Sequence, residues 1–384
     1  MAGNAVVGKV SEHASWSADY YGKIFRTALE VHGHNPDLVA TVTRMAEAGQ
    51  ALVTDPLVDK IIFTGSTPIG RKVMESASQN LTPLVLELGG KDVMVFRHDV
   101  SLKEIVPFVL RGCYQNAGQN CVGAERFFVQ GGIYKKFCDA VTKQAKQLRQ
   151  GNPLGPAGSV DVGSMAMPGE TDRIKSLVDD AVSKGARVLV GGKINASLPG
   201  QYFEPTILAD VDNTMRISQE EVFGPVMSIF RFTDEEDAIS QVNNCPFGLG
   251  SSVFSLDTAR ADRVGKRIRA GMTNCNDFGV NYLVQSMPFG GVGESGFDRF
   301  AGIEGLRGCC LQKSVTTDRI PGVRTTIPPP LQYPMGANAY PFARSLIRVL
   351  YARGVADKAR AVWGLITNGG RKVPQADTAA AKSK

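Results

Sequence analysis

Gln115-Asn116-Ala117-Gly118-Gln119-Asn120-Cys121-Val122-Gly123-Ala124-Glu125-Arg126 places one cysteine among small and amide side chains. Before it, Leu102, Ile105, Val106, Val109 and Leu110 recur at helical spacing, which predicts a helix from Ser101 to about Gln115. After it, Phe127-Phe128-Val129 predicts a strand. Cys121 therefore sits at a helix-to-strand junction, where a thiol can face a cleft and its thiolate fraction sets its reactivity. The same pattern suits a small buried hydrophobe, the common fate of an unpaired cysteine. The neighbouring segments have to separate the two readings.

Upstream, strands and helices alternate. Ala5–Val10 reads as a strand buried by pattern at the very start of the chain, as though its neighbours were supplied from further upstream. A helix capped by Ser15 or Ser17 runs to Val31 and stops at Gly33; strand Leu38–Thr43, helix Ala46–Val53 and strand Lys60–Phe63 follow. In Thr64-Gly65-Ser66-Thr67-Pro68-Ile69-Gly70, the glycine permits a tight turn, a hydroxyl can cap, and the proline suits a first helical turn. Strand, turn and helix N-terminus form an anion site, or simply a well-capped turn. It is not the G-x-G-x-x-G fingerprint.

Leu84-Val85-Leu86-Glu87-Leu88-Gly89-Gly90-Lys91 sets an acid inside an apolar strand. Burial would raise the pKa of Glu87, as a general base requires; pairing with Lys91 is the alternative. The alternation continues downstream through helices Tyr134–Leu148, Glu170–Lys184, Asp234–Asn243 and Thr258–Arg269. Strands are predicted near Val188 and Thr206 and over Val226–Phe232, Gly250–Ser255, Gly271–Asn276 and Leu311–Thr317. Such alternation predicts open, mostly parallel α/β sheets with helices on both faces. Arg344 to Ile366 predicts one amphipathic basic helix, and the final dozen residues carry a disordered composition.

The chain has 384 residues, 43% apolar and 21% charged, with a net charge of +6. Nine Lys/Arg and two Asp fall in 344–384, which leaves 34 Lys/Arg against 35 Asp/Glu in the body. That balance excludes the body as a nucleic-acid surface. Seven cysteines at irregular spacing, with no C-x-x-C pair, argue against a disulfide scaffold or zinc ribbon and for a reducing compartment such as the cytoplasm. No metal set is apparent. The four histidines, His13, His32, His34 and His98, all precede Cys121.

Phe63–Gly70, Leu86–Lys91, Gly118–Cys121, Glu221-Val222-Phe223-Gly224-Pro225 and Pro288-Phe289-Gly290-Gly291 resemble, in order, the successive signatures of the aldehyde dehydrogenase superfamily. The likeness runs from about residue 3 to residue 320. Lys9–Ser17, the asparagine before the cysteine and the long tail look most like plant and algal family-22 members. The resemblance implies two αβα domains with an oligomerisation strand: a partial NAD-binding domain over 1–89, a catalytic domain over 90–290, a return segment with that strand over 291–320, and a basic extension over 321–384. It implies that Cys121 is the nucleophile and Glu87 the base, that Lys9 and Glu12 meet the adenosine ribose, and that Gly65 and Ser66 meet the pyrophosphate. Glu221 would hold the nicotinamide ribose, Phe223 would pack near its ring, and Asn274 would lie at the substrate end. The carboxylate of Glu12 favours NAD over NADP. The implied reaction is oxidation of an aldehyde to an acid through a cysteine thioester, in a homo-oligomer whose strand Leu311–Thr317 pairs across subunits.

Family members carry a segment before the position of Met1, with a Pro-Trp-Asn-type motif whose asparagine completes the oxyanion hole, and no such motif occurs in this sequence. The expectation is an incomplete or shortened member, with a weakly active or inactive binding or scaffold subunit as the alternative. The apolar stripe of the tail, with Arg344, Arg348, Arg353, Lys358 and Arg360, leaves two readings: packing against the protein body, or contact with an anionic membrane surface.

Overall fold

The computed structural model describes residues 2–43 and 45–370. The chain forms two compact units, Met1–Leu311 and Gln312–Lys384. The strands of the first unit are β1 (Val6–Val10), β2 (Val39–Thr43), β3 (Ile61–Thr64), β4 (Leu84–Glu87), β5 (Asp92–Phe96), β6 (Ala124–Gln130), β7 (Arg187–Val190), β8 (Thr206–Ala209), β9 (Val226–Phe232), β10 (Gly250–Phe254), β11 (Met272–Cys275) and β12 (Gly296–Phe297).

A seven-stranded sheet in the order β11-β10-β5-β6-β9-β8-β7 is parallel except for β7. Its central strands are apolar runs buried on both faces, the pattern that covered parallel sheets require. Val93, Val95, Phe128 and Phe230 point to one side and meet Ile174, Leu177, Ile239 and Val264 from helices Glu170–Ser183, Glu235–Asn243 and Thr258–Gly265. Met94, Phe96, Phe127 and Val129 point to the other and meet Val106, Val109, Phe137 and Val141 from helices Leu102–Tyr114 and Tyr134–Ala145. Each fully buried Phe contributes roughly 1.5–3 kcal/mol. This is a doubly covered α/β sheet, as the alternation predicts.

A three-stranded sheet, β12-β4-β3, lies beside it, with β12 antiparallel to β4. β1 and β2 form a separate parallel pair. The expectation of burial for the first strand is not met. Val6 and Val7 are 51% and 53% exposed, because β1 pairs only with β2 and a two-stranded sheet covers little.

Parallel order brings the loops that enter β5, β6 and β9 to one edge of the large sheet. Leu88–Lys91 links β4 to β5 at that edge, so Glu87 ends one sheet where the other begins.

The second unit corrects the prediction of one basic helix. Helices Ala339–Tyr351 and Val355–Thr367 are separated by an extended Ala352 and capped at Gly354. They approach closely at Gly364, where a Cβ would lie 2.3 Å from Ser345 Oγ. Ile347, Leu350, Val362, Trp363 and Ile366 are exposed. No described helix is long and apolar enough to cross a membrane. Leu311–Thr317 forms no strand: its backbone has no ladder partner in this single chain, and Leu311 and Val315 are 88% and 72% exposed. The final dozen residues lie outside the described part of the chain.

Candidate active site

Glu87 closes β4 with neighbours on both sides, Thr64 of β3 and Gly296 of β12. It is 2% exposed. Burial pushes its pKa up, while the neighbouring Cys121 and Thr64 side chains pull it partly back. Its Oε1 is buried without a hydrogen-bond partner. The alternative pairing with Lys91 is absent, because the Lys91 ammonium is bound to Glu125 instead.

Cys121 is half-buried beside Val122, Leu249, Met272 and Phe289. Burial, then the nearby charge of Glu87, pushes its thiol pKa well above the ordinary range. The resting sulfur is therefore a neutral thiol facing a carboxyl group. The loop that delivers it is unusual. Asn116, Ala117 and Gly118 take left-handed φ values of 54°, 56° and 73° in succession, at roughly 1–2 kcal/mol for each non-glycine residue. Gly118 lies against the Gly224 carbonyl, where a Cβ would come within 2.2 Å. Gly90 lies against the Cys121 carbonyl, where a Cβ would come within 2.0 Å. The glycines of three separate motifs thus serve close backbone contact.

Glu221 reaches the same place from the loop before β9. Its Oε1 accepts from the Gly90 N–H at 2.9 Å. A Cβ on Gly89 would meet its Oε2 at 2.5 Å. Burial, then the charge of Glu125, raises its pKa to about 7. Phe223 follows with φ at 48° and a partly exposed ring.

A model of the aldehyde dehydrogenase family matches residues 1–315. The chain belongs to that family. It is 41% identical over 361 residues to an aldehyde dehydrogenase-like protein of Schizosaccharomyces pombe, covering 93% of this chain and 69% of the relative. It is 36% identical over 313 residues to a betaine aldehyde dehydrogenase of Cereibacter sphaeroides, covering 82% of this chain and 63% of the relative. The crystal structure of Staphylococcus aureus betaine aldehyde dehydrogenase in complex with NAD+ superposes with a TM-score of 0.73 at 32% identity, over 79% of this chain and 59% of that one. The chain thus spans about three fifths to two thirds of the lengths of these family members.

Within this aldehyde dehydrogenase fold, Cys121, Glu87 and Glu221 are brought together. Gly65 adjoins them through its N–H, which donates to Glu87 O at 3.1 Å. Ser66 caps the helix Thr67–Ala77 by position, with no side-chain capping bond, and Pro68 stands in the first turn. Lys9 and Glu12 meet each other at 3.5 Å beside β1, and among the described residues no hydrogen bond or ion pair joins them to Cys121 or Glu87. Asn274 is buried in β11 with Oδ1 unpartnered. It lines a cavity of about 20 Å³ with Asp92, Val122, Phe278 and Phe289, room for about one water.

Several residues escaped the sequence reading. Ser295 is fully buried; its hydroxyl donates to Gly89 O at 2.7 Å and accepts from Gly248 N–H at 3.0 Å, so it ties the glycine turn to the β12 return. Thr64, Lys91, Glu125 and Arg173 also surround the site. Thr64, Lys91 and Glu125 lay within segments already singled out, but without a role, because an ordinary Thr, Ser, Glu or Arg carries no local signal of a distant partner.

Proposed function

We propose that this protein oxidises an aldehyde to a carboxylic acid with NAD, using Cys121 as nucleophile and Glu87 as base. The observation that carries the proposal is the closeness of the Cys121 thiol to a buried, unpartnered carboxyl group whose charge acts on it directly. Glu87 takes the thiol proton as sulfur attacks the aldehyde carbon, giving a thiohemiacetal. The Cys121 N–H has no acceptor among the described residues, so it is available to the developing oxyanion. Loss of hydride from the adduct leaves a thioester on Cys121. Glu87, once it has passed the thiol proton to solvent, accepts a proton from water as that water attacks the thioester; the S–C bond breaks, the acid is released, and Glu87 returns the proton to the departing Cys121 thiolate.

The residues suit a dinucleotide. Ser66 leaves its hydroxyl uncommitted at a helix N-terminus, the place for a pyrophosphate. Glu221 offers carboxylate oxygens to ribose hydroxyls beside the bare backbone of Gly89, and Phe223 presents a ring for the nicotinamide. Lys9 and Glu12 provide a cation and an acceptor for the adenosine ribose. The chemistry that NAD supplies when bound is hydride acceptance. A carboxylate at the ribose favours NAD over NADP. The NAD+ complex of the bacterial betaine aldehyde dehydrogenase supports this choice. Asn274 is assigned to the substrate end.

The test is aldehyde-dependent NADH formation by the protein and its variants. Cys121→Ala is expected to abolish it. Glu87→Gln is expected to lower it by about 10²–10⁴-fold, with a burst of thioester retained on Cys121. NADH binding without turnover in the unmodified chain would instead favour a binding subunit. No NADH binding and no turnover would end the enzyme reading for this chain.

A further inference from the structure

We propose that Glu125 is a positioning residue, whose buried carboxylate, paired with Lys91, holds the backbone of residues 221–223 so that Glu221 faces Gly89 and Gly90. The consequence for the cofactor rests on the function proposed above. The positioning itself rests on geometry alone.

Glu125 occupies an irregularity in the large sheet. Asp92 of β5 pairs with Ala124 of β6, and the next residue, Val93, pairs with Arg126. Glu125 is the residue skipped between them. A bulge of this kind turns a side chain away from the regular pleat, and bulges recur beside active sites. Here the freed side chain reaches the loop that enters β9. Its two oxygens accept from the Val222 N–H at 3.0 and 2.9 Å, and Oε1 accepts from the Phe223 N–H at 2.8 Å. The Lys91 ammonium, with 0% side-chain exposure, completes the group.

From the other side, Arg173 donates to the Glu221 carbonyl at 2.9 Å and the Val222 carbonyl at 2.5 Å. Both polar edges of the loop are therefore held. The hold is needed because Phe223 sits at φ 48°, a conformation disfavoured for a residue with a β-carbon. Glu221 itself adds one tie, accepting from the Gly90 N–H. Without the clamp, the loop would relax toward ordinary φ and carry Glu221 and the Phe223 ring away from the glycine turn.

Charge explains why the pair includes a lysine. Asp92, Glu125 and Glu221 lie near one another, and the charge of Glu125 disfavours ionisation of Glu221. The Lys91 ammonium acts in the opposite direction on Glu221. A glutamine at 125 would offer one weaker, neutral acceptor where two carboxylate oxygens now serve both amides, and would leave Lys91 buried and alone.

The experiment compares the full chain with Glu125→Gln and with Glu125→Gln/Lys91→Met, which removes the stranded ammonium and guards against simple misfolding. Amide hydrogen exchange is read at Val222 and Phe223, with Ile229 and Phe230 of β9 as internal reference. NADH affinity is read by equilibrium fluorescence. The expected result is exchange about ten- to a hundredfold faster at Val222 and Phe223, the range for losing a hydrogen bond to a charged group, with β9 unchanged. NADH binding weakens by a similar factor, while alkylation of Cys121 keeps its rate. Unchanged protection of the loop overturns the proposal, as does an equal loss of protection in β9, which would make Glu125 a general structural strut. If the unmodified chain does not bind NADH, the cofactor reading fails, and the exchange measurement still decides the positioning role.

Discussion

Glu87 and Cys121 determine each other's protonation. Burial raises both pKa values, and the charge of Glu87 raises that of Cys121 further. Glu87→Gln removes that charge, so Cys121 is expected to react faster with iodoacetamide at pH 8, measured by peptide mapping to separate it from exposed Cys275 and Cys310. An unchanged rate would show that the two groups are not electrostatically linked. Turnover should rise with pH along a limb displaced above the ordinary Glu range, since only the ionised Glu87 can take a proton. Glu221 gives a stability test with a definite sign. Its folded-state pKa of about 7 exceeds its ordinary value of 4.5. Its contribution is therefore fully present below about pH 4.5 and lost as pH rises through 7. The Tm of Glu221→Gln minus that of the unmodified chain should grow across that window and level off above it.

At the scale of elements, the loop that carries Cys121 depends on glycines that permit contact between backbones. Gly118 combines a φ of 73° with a Cβ position 2.2 Å from the Gly224 carbonyl. Gly118→Ala should cost on the order of 1–3 kcal/mol, read from the urea midpoint, and should slow turnover by displacing Cys121. A stability loss with normal turnover would separate the loop's fold from its function. These glycines stood out as motif members in the sequence, but their partners did not. Nothing local to Gly118 names Gly224, and nothing local to Gly90 names the Cys121 carbonyl. The two helices at 339–351 and 355–367 show the converse limit. Apolar residues recur on both sides of Ala352-Arg353-Gly354, so the pattern alone predicts one helix where the structure has two.

For the whole molecule, the connection after Leu311 decides how the units respond to a protease. Residues 311–318 have no regular secondary structure, and Leu311 and Val315 are exposed. Trypsin should cut first at Lys313, Arg319 or Arg324 and release a stable fragment ending near 311, detected by mass spectrometry. Protection of these sites at high protein concentration, lost on dilution, would point to pairing of this stretch between copies of the chain.

The alternation of apolar runs with amphipathic segments determined the α/β architecture, because burial on two faces and helical periodicity are properties of neighbouring residues. The ordered motifs likewise determined the family, and with it the candidacy of Cys121, Glu87 and Glu221. Tertiary structure alone decided that Lys91 binds Glu125 rather than Glu87, that Glu125 leaves the pleat to hold residues 222 and 223, and that Ser295 ties Gly89 to Gly248. Those choices depend on which side chains meet across strands far apart in the chain. A buried charge takes the partner whose position and desolvation suit it, not the nearest one in sequence.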